Sequence, residues 1–240
     1  MAPPWAGPKM QPWAKLPTAW IMNDELKAFR WKDQRGGHET AALMVLAIIA
    51  HHAETDTGIA KLSYIELAAK AGISKASVSA ALNILEERGL ITRGSEGKGT
   101  LGIANYNPTA GWTKFPARGL YSGGVVAAFQ HFTLRNKNEL FAMKLYFLFA
   151  AFRDNDSNYA SISYDKIVER TGIARESVRA GISLLAANGL VHVDSAPAWP
   201  GGSGAGTAHP VHNRYRLTHL DSYRHPGTSG RSDDSSAAAG

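Results

Sequence analysis

Two stretches of the chain, residues 41–50 and 140–152, are almost unbrokenly apolar. Each belongs to a longer apolar segment, 40–53 and 138–152, dense enough to predict a largely buried helix rather than a surface helix with one apolar stripe. A polar loop follows each, with Asp56, Thr57 and Gly58 in the first case and residues 154–158 in the second. Ser63 and Ser163 are then placed as N-caps of second helices running to Gly72 and Gly172. Third helices begin near Ser74 and Ala174 and stop at Gly89 and Gly189, where glycine admits a positive φ. Val78, Leu82 and Leu85 recur at helical spacing, as do Val178, Ile182 and Leu185, and predict the buried stripe of each third helix. Beyond it the pattern turns to strand, turn and strand: 90–93, a glycine-rich tip at 94–99, and 101–106. The second hairpin runs from 190–193 through a longer tip to 213–218.

The parallel is an internal repeat. Residues 62–91 and 162–191 align without a gap at an offset of 100, and ten of the 30 positions are identical. Among the identities are Ser63/Ser163, Gly72/Gly172, Val78/Val178, Leu85/Leu185 and Gly89/Gly189, the capping, turn and core positions. Lys70/Arg170 and Lys75/Arg175 keep their charge. The expected organisation is an arm rich in Pro and Trp (1–19), a first domain (20–110), a linker (111–119), a second domain (120–222) and a disordered tail (223–240).

Helix, short glycine turn, helix and hairpin together resemble the winged helix-turn-helix domain. The residues that carry the resemblance are Leu67-Ala-Ala-Lys-Ala-Gly-Ile-Ser-Lys-Ala-Ser-Val-Ser79 and Ile167-Val-Glu-Arg-Thr-Gly-Ile-Ala-Arg-Glu-Ser-Val-Arg179. The implied fold class is α+β, mainly helical, with two tandem winged helices. Two such domains in succession resemble plasmid replication initiators, which bind origin repeats. Tandem winged helices also occur in transcription regulators and in interaction modules of chromosome-maintenance complexes. The resemblance implies double-stranded DNA as partner, with self-association or host replication or transcription proteins beside it.

The chemistry of the third helices fits that partner. An α-helix can enter the major groove, where each base pair presents its own pattern of donors and acceptors. With the apolar stripe inward, Lys75, Ala76, Ser79 and Asn83 face outward in the first copy, and Arg175, Glu176, Arg179 and Ser183 in the second. Arginine suits guanine, asparagine suits adenine and serine is permissive. Ser74 and Ser77, with Ser177, stand at helix N-termini that favour phosphate. Arg93 and Lys98 on the first wing, and Arg214 and Arg216 on the second, are candidates for the sugar-phosphate backbone or the minor groove. On an arbitrary amphipathic helix such charges are a solvated face; the helix-turn-helix context turns the reading toward DNA.

Composition narrows the classes further. Hydrophobic residues make up 44% of the 240, enough for ordered cores, and the net charge is +6 with 26 Lys and Arg against 20 Asp and Glu. A modest basic excess permits a polyanionic partner. The absence of cysteine excludes a disulfide framework, Cys-based zinc sites and a cysteine nucleophile, and makes a reducing cytoplasm the expected compartment. The apolar runs are shorter than the roughly 20 residues of a membrane span, and the first residues lack the apolar core of a signal peptide, so no membrane or targeting role is expected.

Weaker signals point elsewhere and fall short. Residues 94–100 lack the Lys-Ser/Thr and the following helix of a phosphate loop. Residues 154–158 begin like a calcium loop, but Tyr159 stands where glycine is needed. His51 and His52 are adjacent, hence on different helix faces, and His209 and His212 have no further ligands near them. No Ser-His-Asp or paired-carboxylate arrangement stands out, so neither catalysis nor a cofactor is expected. Trp5, Trp13, Trp20 and Trp31 cluster ahead of the first repeat, where they either cover its core or form a dimerisation or docking arm.

Overall fold

The computed structural model describes residues 10–32, 35–94, 99–195 and 213–220. Its elements in chain order are β1 (Trp13–Pro17), α1 (Ala19–Met22), α2 (Gly36–His52), β2 (Ile59–Lys61), α3 (Tyr64–Ala71), α4 (Lys75–Glu87), β3 (Ile91–Arg93), β4 (Thr100–Ile103) and β5 (Trp112–Pro116). They continue with β6 (Tyr121–Ser122), β7 (Val125–Val126), α5 (Lys137–Ala151), β8 (Tyr159–Ser161), α6 (Tyr164–Thr171), α7 (Arg175–Ala187), β9 (Val191–Ser195) and β10 (Asn213–Leu217). The chain is α+β. The order helix, strand, helix, helix, strand, strand occurs twice, from α2 to β4 and from α5 to β10. Each set carries a three-stranded antiparallel sheet with its last strand in the middle, β2-β4-β3 and β8-β10-β9.

Local chemistry accounts for the helix limits. Ser63 and Glu66 form a reciprocal capping box at the start of α3, and Gly72 ends it at φ 69°. Helix α4 ends in a Schellman motif: the Gly89 N–H donates to the Glu86 carbonyl at 2.9 Å and the Leu90 N–H to the Leu85 carbonyl at 2.9 Å. Helix α7 repeats it with Gly189 and Leu190 on Ala186 and Leu185. Glycine is favoured at both turns, where φ is 64° and 66°.

Helices α2 and α5 are apolar on every side because each is covered on several sides. The first packs on α4 and α3, the second on α7 and α6, and the two pack on each other. The buried apolar residues form one continuous cluster running through both sets. Charged groups at the seam between the sets are paired. Lys144 of α5 donates to the Phe29 carbonyl at 2.9 Å, and burial pushes its ammonium down to about 8. Glu39 of α2 holds Arg88, whose guanidinium also reaches the Ala28 carbonyl. Arg170 of α6 pairs with Asp24 at 3.0 Å and donates to the Met22 carbonyl. Residues 22–29 thus form a strap bound to both sets.

Several strands depart from the sequence reading. The segment expected as a linker holds β5, which pairs with β1 from the segment expected as an arm. There Trp13 stacks on Trp112, with centroids 5.8 Å apart, and Lys15 and Lys114 lie over the opposite rings. Trp20 meets Phe147 of α5 edge-on as well as Phe29, so it covers the seam between the two sets rather than the first core alone. Strands β2 and β8 lie where the sequence suggested only loop leading into a helix. They are three residues long, and their ladders to β4 and β10 span some forty to sixty residues of chain.

His51 and His52 do share a neighbour, though not a metal. The His51 Nδ1 lies 3.0 Å from the Tyr121 hydroxyl, and both rings meet the Tyr121 ring edge-on. Burial holds His51 neutral, lowering it to about 3, helped by the charge of His52; burial and Lys70 lower His52 to about 4.

Candidate nucleic-acid interface

Helix α4 buries Val78, Leu82 and Leu85 and leaves Lys75, Ala76 and Asn83 exposed, with Ser79 half-buried. Its N-terminus is capped from within. The Ser74 hydroxyl accepts from the Ser77 N–H at 3.0 Å and lies 2.9 Å from the Ser77 hydroxyl. Those two hydroxyls are therefore engaged with each other and with the helix. Arg93, at the end of β3, turns back onto α4: its Nη2 donates to Asn83 Oδ1 at 2.6 Å and its Nε lies 3.1 Å from Glu86 Oε2. Lys98 lies outside the described residues.

Helix α7 buries Val178, Ile182 and Leu185 and exposes Arg175, Glu176, Arg179 and Ser183, with Ser177 half-buried. Its N-cap is Ala174, which has no side chain to bond the first turn. Arg175 pairs with the Asp165 carboxylate and sits over the Tyr164 ring, 5.9 Å from its centroid. On β10 the alternation places Tyr215 and Leu217 in the core and Arg214 and Arg216 on the other face. The Arg214 guanidinium stacks over Tyr159 at 4.0 Å, and the Tyr159 hydroxyl donates to Asp194 at 2.6 Å. Arg179 and Arg216 make no side-chain hydrogen bond or ion pair among the described residues.

The two faces differ in charge as well as in content. At the end of α4, Glu86 and Glu87 are exposed; the equivalent residues of α7 are Ala186 and Ala187. Negative charge beside a polyphosphate is repulsive, so the second face is the better matched to DNA. The fold joins the outer face of α4 to the wing through Arg93. The groups that hold the arginines, Glu86, Tyr64, Asp165 and Tyr159, with Asp194 behind Tyr159, were not assigned to this site from the sequence. Asp194 lies opposite Arg214 in the second hairpin, whose strands were expected from the sequence; Tyr159 lies on β8, which left no such signal.

Among the described residues, no three His, Asp or Glu side chains are placed to hold a metal ion. In the loop after α5, Asp154 accepts from the backbone and hydroxyl of Ser157, and these bonds hold its carboxyl below the usual range. His209 and His212 lie outside the described residues. No described helix is long and apolar enough to cross a membrane.

Comparison with known families bears on the first set of elements. Residues 38–99 match the MarR family. The match covers just over a quarter of the chain, from α2 through β3, and includes the turn between α3 and α4. By that match the segment is similar to a winged-helix DNA-binding domain, and the similarity supports double-stranded DNA as a partner. No curated protein matches the chain.

Proposed function

We propose that the chain is a transcription regulator that binds double-stranded DNA at specific sites and acts by occupancy, without catalysis. The observation that carries this reading is the MarR-family match, which falls on the α3–turn–α4 unit whose outer face bears Lys75, Ala76, Ser79 and Asn83. The recurrence of the element order supports taking the set from α5 to β10 as a second winged helix. That unit brings Arg175, Arg179, Arg214 and Arg216 to its helix and wing. A helix laid in the major groove reads base edges, while wing cations hold phosphate and fix register. Covering a promoter needs nothing more. The family match favours a regulator over a replication initiator, whose claim rests on the succession of two units alone.

The test is selection of duplexes from a random pool at low salt, followed by transcription from a promoter carrying the selected motif. The expected result is one recovered motif and reduced transcription when the protein is present. Failure to retain any duplex at low salt would overturn DNA binding and leave a protein-interaction module. A motif whose occupancy leaves transcription unchanged would overturn the regulatory role.

A further inference from the structure

Asn83 stands exposed in the third turn of α4, and a free asparagine there would read adenine by accepting from N6 and donating to N7. Its surroundings alter that chemistry. The Arg93 Nη2 is 2.6 Å from the Asn83 oxygen, Arg93 Nε is 3.1 Å from Glu86 Oε2, and Nη1 is 3.4 Å from the Tyr64 hydroxyl. Which amide atom faces Arg93 is decided by chemistry: a guanidinium has five donors and no acceptor, so only the oxygen can meet it. Glu86, three residues along the same helix, holds the cation in place. Asn83 therefore presents its two N–H groups outward, while its oxygen is held by a charge-assisted bond.

We infer that Asn83 is a donor-type specificity residue, oriented by Arg93 as a positioning residue, and that it selects guanine in the major groove. Guanine offers two adjacent acceptors there, N7 and O6. Adenine sets its N7 beside an N6 donor that would have to share the oxygen Arg93 already holds, and cytosine offers only a donor. The arrangement is particular to the first unit. At the offset of 100 the corresponding residues are Ser183, Ala186 and Val193, so the fold itself does not require it. The inference rests on the proposed DNA binding.

Binding-site selection from a random duplex pool tests it with three proteins: the wild type, Asn83→Asp, and Arg93→Ala made together with Glu86→Gln so that no bare carboxylate is left. Asn83→Asp keeps an oxygen for Arg93 but replaces both donors with an acceptor, so it should move one base pair from guanine to cytosine. The Arg93→Ala/Glu86→Gln variant frees the amide oxygen and should move the same base pair toward adenine by roughly tenfold. A wild-type preference for adenine at that base pair, or a preference that the Arg93 variant leaves in place, overturns this inference alone. Recovery of no motif by the wild type overturns the DNA-binding reading and this inference with it.

Discussion

Arginines of one chain carry the same charge and do quite different work, according to what each already touches. Arg88 is spent on Glu39 and the Ala28 carbonyl, and Arg170 on Asp24 and the Met22 carbonyl, so both are structural. Arg93 and Arg175 are held by Glu86 and Asp165, and each would have to give up or share that carboxylate to meet a base or a phosphate. Arg214 sits over the Tyr159 ring, 4.0 Å from its centroid, a cation–π contact with no carboxylate to give up. Arg179, in the second turn of α7, is exposed and has no side-chain hydrogen bond or ion pair among the described residues, so contact with guanine costs it no existing bond. Arg179→Ala should therefore weaken binding to the selected duplex by about 1–3 kcal/mol and relax the preference at one base pair. Titration of that duplex at fixed salt measures the change. Wild-type affinity in Arg179→Ala would take α7 out of the groove.

At the scale of elements, close approach of helices sets the tolerances. A Cβ at Gly181 of α7 would lie 2.8 Å from Leu145 Cδ1 and 3.1 Å from Phe141 Cβ, so α7 and α5 meet where there is no side chain between them. Gly181→Val should force α7 outward and destabilise the protein by about 1–3 kcal/mol, as overpacking does. Its equivalent, Ala81, already carries a Cβ, so the first unit is not built on the same contact. Urea unfolding reads the loss; an unchanged midpoint would mean that α5 and α7 are free to separate. The helices were legible in the sequence because their signals are local: caps at Ser63 and Ser163, glycines at 72, 89, 172 and 189, and stripes at helical spacing. Strands β1, β2, β5 and β8 were not, because they are three to five residues long and exist only by pairing across distant chain. The same limit applied to the site. Asn83 and Arg93 could each be chosen from the sequence, but that one holds the other follows from where β3 lies against α4.

At the scale of the whole molecule, the two units are joined by packing rather than by a flexible tether. Helices α2 and α5 lie against each other inside one continuous cluster, and the strap at 22–29 is bonded to Arg88 on one side and to Lys144 and Arg170 on the other. Opening that seam would expose Trp20 and Phe147 and leave the Lys144 ammonium without its carbonyl, a costly combination. The separation of α4 and α7 is therefore set by the protein and not by the DNA. If both helices read bases, their half-sites should be centred about one helical turn, 10–10.5 bp, or a multiple of it apart. The halves should also differ in sequence, since Lys75, Ala76 and Ser79 correspond to Arg175, Glu176 and Arg179. Inserting about 5 bp between the halves turns one of them by half a turn, and a rigid seam cannot follow. Affinity should then fall to that of a single half, with the half read by α7 retaining the larger share because Arg179 replaces Ser79 and no acidic pair ends its helix. Footprinting on the parent and the lengthened site separates the outcomes. A lengthened site still protected at both halves by one chain would show that the seam opens. A perfect palindrome occupied by two chains, each on one identical half, would show that only one of the two units reads DNA.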